Sequence, residues 1–187
     1  MPSIRAEDPG TPDAIELTDE LSAALAAITG DSGRASLAPD DVRVARSRFV
    51  VARDADGHPI GCAAIRPLGD GVAEIKRMYA RPGNPSTGSA LLAFLESEAT
   101  ALGYRAPWLE TRIVNHRAVG FYSARGYRVI PNYGRYAGRA DAVRLAKQLA
   151  PPPGSPPPGS VPAIAHGPIR NARRACAKVE LVSDCRH

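Results

Sequence analysis

Apolar residues in the first 150 positions recur with two periods, and each switch between them marks a new element. SIRAE (3–7) fits a short opening strand. In PDAIELTDELSAALAAI (12–28), Ile15, Leu21, Leu25 and Ile28 fall near helical spacing. Pro12 suits the first turn of that helix and Gly30 lies just past its end. RFVVAR (48–53), the turn DADGHP and IGCAAIRP (60–67) read as a β-hairpin, which GDG (69–71) joins to a third strand, VAEIKRMYA (72–80). Helical periodicity returns with Leu91, Phe94, Leu95, Ala99 and Leu102 on one face, and Gly103 can supply a left-handed C-cap. APWLET (106–111) reads as a strand, Asn115–Arg125 as a short helix stopped by Gly126, and YRVIP (127–131) as a strand. For AVRLAKQL (142–149) periodicity allows a closing strand or a helix. The predicted order is β-α-βββ-α-β-α-β-β, an α/β domain whose sheet is mixed, mostly antiparallel and flanked by helices.

Composition changes this picture at one place. PPPGSPPPGS (151–160) has six prolines, which carry no backbone donor, and favours extended, solvated chain, and the 27 residues after it are too few to build a core. Residues 1–150 are therefore expected to be one domain, and residues 151–187 a Pro/Gly-rich linker and basic tail without fixed structure. The tail holds Arg170, Arg173, Arg174, Lys178 and Arg186 against Glu180 and Asp184, so much of the net charge of +5 lies outside the domain. Five basic residues without interleaved aromatics give no reason to expect a nucleic-acid partner. No apolar run reaches the length of a membrane span, and MPSIRAEDPG has no apolar h-region, so neither a membrane anchor nor a signal peptide is expected. The three cysteines (Cys62, Cys176, Cys185) and the four scattered histidines show no metal-type spacing, which predicts a reducing, cytoplasmic setting and no metal.

Candidate chemistry begins at RPGNPSTGSALLAFLES (81–97), a Pro/Gly loop running into the second amphipathic helix. A helix N-terminus presents unsatisfied N–H groups and partial positive charge, which together favour an anion. Thr87, Gly88, Ser89 and Ala90 offer amides there, and Ser86 or Thr87 a hydroxyl. An ordinary turn with a Ser/Thr cap is the alternative reading of the same residues.

Taken in order, these segments resemble the GNAT-type N-acetyltransferase superfamily over about residues 3–149. The hairpin FVVARDADGHPIGCAAIRPL precedes AEIKRMYARP, which resembles the family's central strand. The loop–helix GSALLAFLESEATALGY follows, then WLETRIVNHRAVGFYSARGYRVI. That last segment fits the family pattern N-x-x-A-x-x-x-Y-x-x-x-G-[FY] at Asn115, Ala118, Tyr122, Gly126 and Tyr127. The family's R/Q-x-x-G-x-G/A loop is matched only at its last glycine, on Gly88. Pro85 contributes no donor and Ser86 stands where glycine is usual.

The resemblance implies transfer of acetyl from acetyl-CoA, as cosubstrate, to a primary amine of a small molecule, amino acid or peptide by direct attack. It also implies a monomer or homodimer. Backbone groups at Met78 and Ala80 would hold the cosubstrate, with its phosphates at Ser86, Thr87, Gly88, Ser89 and Ala90. Tyr122, whose phenol titrates above a thiol, is the candidate acid for the leaving thiolate, or else an aromatic packed beside Phe121. Asn115 is a cosubstrate contact, an N-cap, or both. Glu74 is the candidate base, as in some members, or a cross-strand ion-pair partner; Glu110 is a second carboxylate candidate. Cys62 lies in an apolar strand and reads as core. The departures in the loop motivate one alternative: a catalytically weak acetyl-CoA sensor or interaction module.

Overall fold

The computed structural model describes residues 1–69, 71–131 and 141–150, the side chain of Ser36 excepted. In chain order the elements are β1 (Ser3–Ala6), α1 (Pro12–Thr29), two short 3-10 turns (Arg34–Ser36 and Pro39–Val42), β2 (Arg48–Arg53), β3 (Pro59–Gly69) and β4 (Val72–Ala80). Then come α2 (Thr87–Ala101), β5 (Ala106–Arg112), α3 (His116–Ser123), β6 (Arg128–Ile130) and β7 (Ala142–Ala146). The chemistry of the termini explains the helix bounds. Thr11 caps α1 by accepting from the Ala14 N–H, Pro12 starts it, and Gly30 ends it at φ 74 with its N–H on the Ala26 carbonyl. At the end of α2, Gly103 turns the chain at φ 79 and the Tyr104 N–H returns to the Ala99 carbonyl.

The seven strands form one sheet in the order β1-β2-β3-β4-β5-β7-β6. Every pairing is antiparallel except β4 with β5. Residues 142–149, open between strand and helix, contain the strand β7, which inserts between β5 and β6.

Strand alternation divides the core between the two faces of the sheet. Val50, Ala52, Ile65, Ala73 and Ile75 pack with Leu91, Leu92, Leu95 and Ala99 of α2. Phe49, Val51, Cys62 and Ala64 pack with Ala14 and Leu17 of α1 and with Leu37 and Val42. The face of α1 differs from the expected one. Ala14, Leu17, Leu21 and Ser22 are buried, whereas Ile15 and Ile28 are 48% and 50% exposed. Two small residues, Ala14 and Ser22, let α1 sit close to the sheet, so the burying stripe is not the most hydrophobic one.

Two backbone features set the geometry of the centre. At Gly61 an added Cβ would lie 2.6 Å from the Tyr79 carbonyl oxygen and within 3.1 Å of Thr87 and Leu91, so glycine is what brings α2 down onto β3. In β4, Lys76 pairs with Ala64 and Tyr79 with Cys62, which leaves three steps opposite two and makes a bulge. Arg77 occupies the bulge at φ 51. The conformation costs a non-glycine residue about 1–3 kcal/mol. Its carbonyl accepts from the Cys62 thiol at 3.4 Å, and burial pushes that thiol up to about 12, so it remains a donor. Cys62 is thus core, as expected.

No helix among the described residues is long and apolar enough to cross a membrane. The expected linker and tail (151–187) lie outside the described residues, as do Tyr133, Arg135 and Tyr136, which the sequence offers either as acceptor-pocket lining or as caps of the sheet.

Replacing Gly61 by alanine is expected to destabilise the domain by about 1–3 kcal/mol through overpacking against Tyr79 and α2. Urea unfolding followed by circular dichroism measures it; an unchanged midpoint would show that α2 can retreat freely.

Candidate active site

β4 and β5 pair only at Val72, Ala73 and Glu74, opposite Ala106, Pro107 and Trp108. After Glu74 the strands part, and beyond Trp108 β5 pairs with β7 alone. The gap is a cleft of about 440 Å³, walled by Ile75–Met78 and Leu109–Arg112, with α1 on one side and α3 on the other. Its β4 wall carries open backbone. The Arg81 N–H donates to Ile60 on β3 at 2.9 Å, so alternation turns Tyr79 toward β3 and the peptide groups of Met78 and Ala80 toward the gap. An extended ligand can pair there as an added strand.

One helix start completes this region. The Thr87 N–H bonds the Asn84 carbonyl at 3.2 Å, and the Ala90 N–H closes the first helical bond to Ser86 at 3.0 Å. The amides of Gly88 and Ser89 have no partner among the described residues. Ser86 stands at the N-cap position with no side-chain cap bond, and Thr87 is fully buried. The five-residue set expected from the sequence therefore reduces to two free amides and the Ser86 hydroxyl.

The structure adds a cation that sequence reading missed. Arg125, just past α3, lies 3.7 Å over the Phe121 ring, donates to the Phe121 carbonyl and bonds the Ser89 hydroxyl. Phe121 in turn lies 3.4 Å from where a Cβ of Gly88 would be. A guanidinium is thereby fixed beside the start of α2. No local pattern announces this, because Arg125 is 36 residues from Ser89.

α3 supplies two further groups to the cleft. Asn115 caps the helix through its Oδ1, which accepts from the Ala118 N–H at 3.2 Å, and its side-chain amide remains available. Tyr122 is 6% exposed, with ring contacts to Phe121 at 5.1 Å and Tyr127 at 5.4 Å. Burial raises its phenol above the usual range, so it stays protonated at neutral pH. Its hydroxyl has no hydrogen-bond partner among the described residues.

The carboxylates sort differently from expectation. Glu74 is buried and held by two cations: Arg66 Nε on one oxygen and Lys76 Nζ on the other, each at 2.9 Å. The residues lining the cleft do not include it, so the geometry favours the ion-pair reading over the base reading. Glu110 does line the cleft; Arg144 holds one of its oxygens at 2.9 Å, and the other has no partner among the described residues. His58 and His116 are exposed. Asp54, Asp56 and His58 gather in the β2–β3 turn, where the Asp54 carboxylate accepts from the backbone N–H groups of the other two.

Residues 15–127 match the model of the Acetyltransferase (GNAT) family. An N-acetyltransferase of Schizosaccharomyces pombe is 36% identical over 90 residues, which is 46% of this chain and 54% of that protein. An IAA acetyltransferase of Azospirillum brasilense is 35% identical over 92 residues, 48% of this chain and 60% of that protein. The match thus spans little more than half the length of either relative. A Klebsiella pneumoniae protein provisionally named an acyl-CoA N-acyltransferase has a solved structure with a TM-score of 0.68 at 27% identity, covering 80% of this chain and 99% of that one.

The two readings of Glu74 separate by experiment. Glu74→Gln is expected to lower stability by roughly 3 kcal/mol, because it strips charge from a buried pair. A thermal melt alongside kinetics decides: a loss of turnover at unchanged melting temperature would restore Glu74 as the base.

Proposed function

The chain belongs to the GNAT acetyltransferase family, and from that premise we propose that it is an acetyl-CoA-dependent N-acetyltransferase acting on a primary amine of a small molecule, amino acid or peptide. The observation that carries this reading is the cleft itself. It brings the β4 backbone at Met78 beside a buried, protonated tyrosine, and the two free amides at the start of α2 lie outside its lining, next to Phe121, the ring neighbour of that tyrosine.

Those features fit the donor. The backbone of Met78 and Ala80 would pair with its amide arm, while the Gly88 and Ser89 amides, the Ser86 hydroxyl and Arg125 would meet its phosphates. Thr87 and Ala90 would shape that end through packing and helix geometry. When bound, acetyl-CoA supplies an activated acetyl thioester. The transfer forms a nitrogen–carbon bond as the carbon–sulfur bond breaks; one proton leaves nitrogen and one reaches sulfur. The open oxygen of Glu110 is the group we assign to accept the amine's proton, directly or through water. The Met78 N–H faces the carbonyl oxygen on which negative charge builds. Tyr122 delivers a proton to the departing sulfur, since a phenol raised by burial keeps its proton until a strong base forms beside it. The Asn115 amide is free to hold the donor's arm.

A second reading, an acetyl-CoA sensor with little turnover, draws on the helix start, where Pro85 gives no donor and the Thr87 amide is already used. Thiol release from acetyl-CoA with a panel of amines separates the two. If no amine accelerates release while acetyl-CoA still raises the melting temperature, the sensor reading replaces the enzyme.

Two variants test the assignments. Tyr122→Phe is expected to lower kcat on the order of 100-fold under conditions where chemistry limits the rate. Unchanged turnover would remove Tyr122 as the acid. Arg125→Ala is expected to raise KM for acetyl-CoA about tenfold, the worth of one charged hydrogen bond. Its acceptor KM should not change.

A further inference from the structure

Cations that line the cleft are matched with carboxylates, with one exception. Lys76 pairs with Glu74 at 2.9 Å, and Arg112 pairs with Asp31 and Asp141. Arg77 pairs with no carboxylate among the described residues. Its guanidinium donates to the Ser22 hydroxyl at 3.3 Å and to the Arg34 carbonyl at 3.1 Å, which leaves other N–H groups unused. Burial lowers its pKa, the mark of a cation short of water and of a counter-charge.

Arg77 also belongs to a second hollow. A recess of about 210 Å³ lies between α1 and the Pro39–Val42 turn, floored by Leu37, Val42 and Phe49, and Arg77 lines both this recess and the main cleft. The other cation at the recess is Arg34, and the carboxylate there, Asp19, is bonded to it at 2.8 Å. Two guanidinium groups therefore face one carboxylate, and the excess positive charge rests on Arg77. The bulge places that charge here. By putting Arg77 on the same face as Lys76, it turns the side chain toward α1 while Met78 returns to the other face.

We propose that Arg77 anchors the acceptor, which is a small amine bearing a carboxylate: the guanidinium takes the carboxylate in a two-point hydrogen bond at the mouth of the recess. Arg77 and Met78 are adjacent residues, with Cα atoms about 3.8 Å apart. A carboxylate held by the Arg77 guanidinium and an amine reacting beside the Met78 N–H would both fall within one small molecule, whereas a polyamine or another amine without an acidic group would leave the guanidinium unpaired. The fork of arginine suits this task better than a lysine would. The inference rests on the acetyl-transfer reading above and narrows its acceptor.

The test uses the full chain with α- and ω-amino acids of two to six carbons, each beside its primary amide, and follows thiol release from acetyl-CoA. The acids are expected to exceed their amides at least tenfold in kcat/KM. Arg77→Gln is expected to erase that preference by raising the acceptor KM, with KM for acetyl-CoA within twofold of the parent. Arg77→Lys, which keeps charge without the fork, should fall between. Equal use of acids and amides by the parent chain overturns the anchor and leaves acetyl transfer standing, as does a preference that survives in Arg77→Gln. Should the Gln variant fail to fold, the acid-to-amide ratio of the parent still decides. No turnover with any amine, while acetyl-CoA raises the melting temperature, overturns the acetyl-transfer reading and the anchor with it.

Discussion

One extra residue in β4 opens the molecule. Without the bulge between Lys76 and Tyr79, strict alternation would carry β4 on as a flat partner for β5, and the two strands would have no reason to part after Glu74. With it, alternation leaves the peptide groups of Met78 and Ala80 on the side where β5 no longer pairs with β4. Such a distortion persists only if the surroundings fix the strand on either side. Here Glu74, bound to Arg66 and Lys76, holds the near side. Arg81, bound to Glu16 and Glu20 of α1 and to the Pro59 carbonyl, holds the far side. The Cys62 thiol caps the carbonyl in the middle. Glu74, a candidate base or ion-pair partner in a one-dimensional reading, is held here between two cations where it can clamp the strand.

The two helices flanking the sheet then have distinct jobs. α2 rests close to β3 because Gly61 has no side chain to keep it away, and this closeness sets the position of its first free amides against the sheet. α1 rests on the opposite face through Ala14 and Leu17, and its later turns border the cleft with Leu21 and Leu25. The fold thus separates a surface suited to phosphates from a surface suited to the second reactant, with the parted strands between them.

The order of elements was legible because each strand and helix carries its own period, and the Gly and Pro punctuation at Pro12, Gly30 and Gly103 is local chemistry. The rest depends on partners distant in sequence. Nothing in AVRLAKQL tells a strand from a helix until β5 and β6 offer edges on both sides. In α1 the strongest apolar residues, Ile15 and Ile28, point outward, because the sheet selects the stripe that fits closest. The bulge left no trace, since left-handed positions are sought at glycine and here an arginine holds one. Tyr122 and Asn115 could be proposed from the sequence because the family pattern fixes their spacing along one short helix and its cap, and both line the cleft. Arg125 and Arg77 could not, because what sets them apart is the partner each has or lacks in space.

Arg125 also changes how the loop before α2 reads. A glycine-rich loop binds phosphate with many backbone amides, whose dipoles are fixed at no side-chain cost. In RPGNPSTG, proline and an already bonded Thr87 remove part of that set, so two amides remain. A free arginine would be a poor replacement, since ordering its long side chain costs up to about 2 kcal/mol. Arg125 is already ordered by Phe121 on its face and by two hydrogen bonds, so that entropy is lost on folding rather than on binding. Its Ser89 bond also marks the direction in which its charge points. A phosphate arriving there would meet fewer dipoles than in a glycine-rich loop but a full charge already in place, and its binding should weaken with salt more steeply than amide dipoles alone would make it.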